Sequence, residues 1–143
     1  MTHVKAQWKN NMAFEATVNN HSLMMDGDAA IGGHDSGMCP KPLMLAALAG
    51  CTGIDVVAML NKMRVSFSDF NIDVTAEMND EIPKVFTSFH ITYTITVAAT
   101  DREKVEKAVT LSDERYCGVS AMYKSFAVVT HSIVYQNKFQ LHT

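Results

Sequence analysis

The residues best suited to chemistry in this 143-residue chain are its three cysteines, Cys39, Cys51 and Cys117. Cys51 lies inside the apolar run CPKPLMLAALAGCTG, residues 39–53, and Cys117 inside SDERYCGVSAM, residues 112–122. A thiolate is a nucleophile, a metal ligand and the first rung of a reversible oxidation ladder, and two thiols brought together can close a disulfide. A free cysteine is equally a small hydrophobe at home in a core, and spacing alone leaves both readings open. Asp55 stands one helical turn beyond Cys51 on the same face, where a carboxylate opposes thiolate formation. Cys117 is expected near the start of a short helix, whose N-terminal dipole favours a thiolate, and Arg115 two residues earlier is a candidate cation.

Other chemistries find less support. Cys39, Cys51, Cys117 and His34 show neither CxxC nor HxxxH spacing, so no metal and no other cofactor is expected. His90 and His131 fall within strands, and no Ser, His and Asp ordering suggests a hydrolase. Gly32 and Gly33 lack the Gly-Lys-Ser/Thr of a phosphate loop, and GDAAIGGHDSGMCP, residues 27–40, reads as a flexible connector.

With 48% hydrophobic and 19% charged residues the chain is expected to fold as one α+β domain, residues 1–143. A net charge of −3 and no dense Lys/Arg cluster argue against a nucleic acid or an anionic membrane as partner. MTHVKAQWKNN has no apolar core or cleavage site of a secretory signal, and three cysteines do not make a secreted disulfide framework, so a cytoplasmic protein is expected. The apolar run 42–60 contains Gly50, Thr52, Gly53 and Asp55, read as interrupting it below bilayer length.

The elements that must position the cysteines follow from periodicity. HVKAQWK, AFEATVN and SLMMD read as three strands joined by turns at Asn10–Asn11 and Asn19–His21, since Asn tolerates left-handed backbone. A helix of about 20 residues starts near Pro42. Its apolar positions fall on nearly every side, which implies that a second subunit covers part of it. NIDVTAEM and KVFTSFHITYTITVAAT alternate cleanly, with Ile72, Val74, Ala76 and Met78 on one face of the first strand and Val85, Phe89, Ile91, Tyr93, Ile95 and Val97 on one face of the second. Such a pair predicts antiparallel sheet whose other face, Ser88 to Thr96, is solvated. Thr100 and Glu103 have capping-box spacing, Ser112 restarts a second helix, FAVVTHSIVYQ is a last strand and residues 137–143 a frayed tail. The expected order is βββ-α-ββ-αα-β.

The blocks PKPLMLAALAGCTGIDVVAMLNKMR, AEMNDEIPKVFTSFHITYTI and AVTLSDERYCGVSAMYK resemble the OsmC/Ohr family (osmotically inducible protein C-like, organic hydroperoxide resistance), over residues 33 to 135. The resemblance implies an intertwined homodimer with long central helices packed together and sheets wrapped outside. It further implies a thiol peroxidase. The cysteine matching Cys51 attacks an organic hydroperoxide, the one matching Cys117 closes a disulfide with it, and an external dithiol reduces that disulfide. In the family's peroxidases a glutamate ten residues before the first cysteine pairs with an early-strand arginine; here that position is Lys41, and the first arginine of the chain is Arg64. Two readings therefore stand: a cytoplasmic two-cysteine hydroperoxide reductase acting through Cys51 and Cys117, or a protein of the same fold that binds a small apolar molecule with little thiol chemistry.

Overall fold

A computed structural model describes residues 1–137; the rest of the expected frayed tail lies outside the described residues. The chain divides into two compact units, residues 1–44 and 45–143.

The first unit is an antiparallel meander of β1 (Lys5–Asn10), β2 (Ala13–Val18) and β3 (His21–Met25). Asn11, Asn19 and Asn20 take left-handed φ values of 47°, 47° and 65° at the two turns, as the Asn pairs foretold. The following segment is more ordered than the flexible connector expected from its composition. Asp26 is buried, and its carboxylate accepts hydrogen bonds from the backbone N–H of Gly27, His34 and Ser36 and from the Ser36 hydroxyl. Those donors, the Ser36 hydroxyl first, hold the carboxyl well below the usual carboxylate range. Gly33 is needed for close approach: a Cβ there would lie 1.7 Å from the carbonyl oxygen of Gly27.

α1 (Pro40–Lys62) begins in the first unit and continues through the second. It starts two residues before the expected Pro42 and takes Lys41 into its first turn. At 23 residues it is not broken by Gly50, Thr52, Gly53 or Asp55, and by length and composition alone it could cross a bilayer. One stripe of it packs inside the fold. Leu48, Thr52, Val56 and Leu60, spaced four apart, are all fully buried, and Thr52 is hydrogen-bonded inside the fold. The opposite stripe, Ala47, Gly50, Ile54 and Ala58, is exposed, with Ile54 at 73%.

The second unit holds a sheet in the order β4-β5-β6, formed by β4 (Phe67–Met78), β5 (Phe86–Val97) and β6 (Val128–Gln136). β4 and β5 are antiparallel, as the alternation required, with Phe89, Ile91, Tyr93, Ile95 and Val97 buried along one face. β6 pairs parallel to β5, from Ser88 opposite Val128 to Thr96 opposite Gln136, so the sheet is mixed rather than wholly antiparallel. A parallel neighbour needs a long crossover, which the helices between β5 and β6 supply. The face of β5 expected to be solvated is half-buried, and Thr96 on it is 2% exposed. On that face His90 bonds Thr130 and Ser132 across the sheet.

The crossover is α2 (Arg102–Leu111), a π-helical turn Ser112–Tyr116, and α3 (Gly118–Lys124). Thr100 and Glu103 form no capping box, because a 3-10 turn over Ala99–Asp101 leads into α2 without a side-chain cap. Tyr123 stacks on Phe89 with ring centroids 4.9 Å apart and so seats α3 on β5. Tyr135 of β6 donates to the Arg102 carbonyl oxygen and lies under its guanidinium, tying down the start of α2.

Leu48→Ala removes a fully buried side chain from α1 and is expected to cost about 2–5 kcal/mol in urea unfolding. A loss within experimental error would contradict the packing described for that stripe.

Candidate functional site

Two of the three cysteines are brought together by the fold. The sulfurs of Cys51 and Cys117 and a carboxylate oxygen of Asp55 all lie within 4.8 Å of one another. All three cysteines are free thiols. Cys51 and Asp55 share one face of α1 by their four-residue separation, as the sequence indicated. Cys51 is half-buried and Cys117 only 3% exposed.

Cys117 reaches the site through a break in the helical crossover. The π turn closes with the Cys117 N–H donating to the Ser112 carbonyl at 2.9 Å; Cys117 itself is extended, with φ −76° and ψ 100°. Its sulfur caps α3 by accepting the Ser120 N–H at 3.4 Å. The second short helix therefore starts at Gly118 rather than Ser112, with Cys117 as its N-cap. Irregular turns of this kind recur at functional sites because they aim a side chain that a regular helix could not.

A chain of buried hydroxyls fixes Asp55. Tyr93 of β5 and Thr52 of α1 lie 2.6 Å apart, Thr52 and Ser112 2.9 Å, and Ser112 and Asp55 Oδ2 3.2 Å. A carboxylate accepts only, so Ser112 donates its single hydroxyl proton to Asp55. Thr52 must then donate to Ser112, and Tyr93 to Thr52. The bonds run one way, toward Asp55. Burial first of all pushes the Tyr93 phenol up to about 12, which keeps it a donor.

Electrostatics separate Cys117 from the expectation that its helix would favour a thiolate. Burial pushes the Cys117 thiol up to about 11; the Ser120 N–H opposes this, while Cys51 and Asp55 add to it. Desolvation and two neighbours able to carry negative charge outweigh one backbone donor. No Lys, Arg or His among the described residues forms an ion pair at the trio. Asp55 makes no ion pair, the Arg115 guanidinium lies over the Tyr116 ring at 5.8 Å, and Lys124 pairs with Asp113 at 2.9 Å. Lys41, His34 and Cys39 belong to the first unit, and neither strand histidine, His90 or His131, joins the trio.

Thr52, Ser112 and Tyr93 were not singled out from the sequence. Thr52 carried one signal, a polar residue in register with Leu48, Val56 and Leu60 on the stripe that becomes buried. Ser112 and Tyr93 read as a helix start and a core residue, since nothing local foretells a hydroxyl partner on another element.

A groove of about 860 Å³ reaches the trio at Asp55, without either cysteine in its walls, and is otherwise lined by Met59, Met63, Leu111 and Tyr116, with Lys62 and Lys107. A second, shallower groove of about 700 Å³ follows the exposed face of α1, between Gly50, Ile54 and Ala58 of the helix and Phe70 and Ile72 of β4.

The family model described as OsmC-like protein matches residues 33–132. Protein YhfA of Escherichia coli K12 is 31% identical over 129 residues, which cover 90% of this chain and 93% of that protein. The structure is similar to the OsmC-like protein of Mycoplasma pneumoniae, with a TM-score of 0.78 at 12% identity over 94% of this chain and 96% of that one. It is also similar to an organic hydroperoxide resistance protein OsmC from Legionella pneumophila, with a TM-score of 0.66 at 19% identity over 94% and 96%. At these identities the two structures speak for the fold, while the family model and the YhfA match speak for descent. The chain belongs to the OsmC-like protein family.

Proposed function

We propose that the protein is a cytoplasmic thiol-dependent reductase of small organic hydroperoxides, residues 1–143 acting as one OsmC-like domain. The observation that carries this reading is the meeting of two free thiols from separate elements, Cys51 on α1 and Cys117 at the cap of α3. The name of the Legionella neighbour, organic hydroperoxide resistance protein, supports the substrate class, and the apolar walls Met59, Met63, Leu111 and Tyr116 suit an organic tail.

In this reading the Cys51 sulfur attacks the peroxide. An S–O bond forms as the O–O bond breaks, leaving a sulfenic acid and, once the departing alkoxide takes a proton, an alcohol. The Cys117 sulfur then attacks the Cys51 sulfur; an S–S bond forms, and hydroxide leaves as water with the Cys117 proton. An external dithiol reduces the disulfide by exchange. The two thiols are matched to these two roles. Burial, Cys51 and Asp55 keep Cys117 protonated, so it neither competes for peroxide nor lacks the proton that the leaving hydroxide needs.

A second reading, a binding protein with little thiol chemistry, is favoured by one observation: the glutamate and early-strand arginine of the family's peroxidases are missing, and no Lys, Arg or His among the described residues pairs with Asp55. The groove beside Met59 and Tyr116 would then hold a small apolar molecule.

The exposed stripe of α1 supports a homodimer. Ala47, Gly50, Ile54 and Ala58 form an apolar face whose small residues let a second helix approach closely, and a second copy of the chain would bury it.

Three measurements follow. With about one equivalent of cumene hydroperoxide the reduced protein should lose about two mass units, and Cys51→Ser and Cys117→Ser should not; thiols that stay reduced for minutes in excess peroxide would sink the peroxidase reading. Iodoacetamide should label Cys117 only as the pH climbs toward about 11. Asp55→Asn, which removes a negative neighbour, should move the labelling of Cys117 to lower pH, and an unchanged profile would show that Asp55 has no electrostatic hold on it. Ile54→Arg should convert a dimer to monomer in sedimentation, and a wild-type protein that already sediments as a monomer refutes the dimer.

A further inference from the structure

The trio Cys51, Asp55 and Cys117 has an electrostatic property that the redox reading leaves unused. Three groups that carry negative charge when deprotonated converge within 4.8 Å, and no Lys, Arg or His among the described residues pairs with Asp55. We propose that in the reduced protein these three side chains bind a soft divalent cation of the zinc and cadmium class.

The donor set fits such an ion. Two thiolates and one carboxylate belong to two of the ligand types that zinc accepts, and three protein ligands leave a fourth position for water or an exchanging thiol. Zinc–sulfur bonds of about 2.3 Å at a tetrahedral angle place two sulfurs a little under 4 Å apart, so the side chains need move by only about an ångström. Two ligands four residues apart on one helix point the same way, and α1 holds both. The third comes from the rigid cap of α3, whose sulfur is already fixed by the Ser120 N–H. Asp55 also has the outer-sphere support that ligating carboxylates usually show, since Ser112 donates to Oδ2 and is backed by Thr52 and Tyr93. Cys51 is half-buried rather than sealed, which leaves a path for the ion. Motif spacing could not reveal the set, because one ligand is an aspartate and the second cysteine lies on a distant element.

Binding releases the two thiol protons and masks both sulfurs; a Cys51–Cys117 disulfide would remove two of the three ligands. The ion and the oxidant would therefore compete for one site, and the ion would shield the reduced pair. The inference concerns the same residues as the peroxidase reading but needs no peroxide to test, so either can fail without the other.

Full-length protein, reduced, desalted and stripped with a chelator, is titrated with cadmium chloride while thiolate-to-metal charge-transfer absorption is followed in the ultraviolet. Zinc affinity is then read by competition with a chromophoric chelator. One equivalent should saturate the band. Cys51→Ser and Cys117→Ser should abolish it, Asp55→Asn should weaken zinc by about tenfold or more, and Cys39→Ser should leave it unchanged. Circular dichroism checks that each variant folds. Wild-type protein oxidised with diamide, which needs no new side chain, should lose the band and regain it on reduction. No band at one equivalent, equal affinity in Asp55→Asn, or a band that survives Cys117→Ser would overturn the proposal.

Discussion

The buried hydroxyl chain from Tyr93 through Thr52 and Ser112 to Asp55 is where β5, α1 and the turn after α2 meet. Each bond contributes only about 0.5–1.5 kcal/mol net, but a hydroxyl left without its partner in that interior would cost about 1–3 kcal/mol. The penalty makes the register of the three elements specific. Hydrophobic contacts along Leu48, Val56 and Leu60 would tolerate a small slide of α1 over the sheet; Thr52 does not. Because the chain ends on Asp55, the same constraint that sets the helix also aims a carboxylate at two thiols.

That placement also sets the two cysteines in different surroundings. Cys51 is carried on a regular helix at a half-buried position, and Cys117 is drawn inside by an irregular turn and held by a backbone donor. Depth decides the balance at Cys117, where desolvation outweighs the favourable N–H of Ser120. A helix start does not by itself make a thiolate.

Much of this was legible in the chain. The alternation of β4 and β5, the Asn turns of the meander and the element order all came from local pattern, because period and turn chemistry are local properties. Asp55 was legible too, as a neighbour of Cys51 one turn on. Three features were not. The parallel pairing of β6 with β5 depends on a crossover that periodicity cannot orient. The order around Asp26 arises from backbone donors up to ten residues away, invisible to composition that reads simply as loop. The partners of Thr52 lie 41 and 60 residues distant, on elements whose meeting only the fold decides.

The central claim is that Cys51 and Cys117, and not Cys39, form one redox pair. Peptide mapping of the protein after a single peroxide turnover tests it most directly. The account requires a linkage between the Cys51 and Cys117 peptides with Cys39 recovered as a free thiol; a linkage through Cys39, or Cys51 recovered as sulfinic acid with Cys117 still reduced, would contradict it.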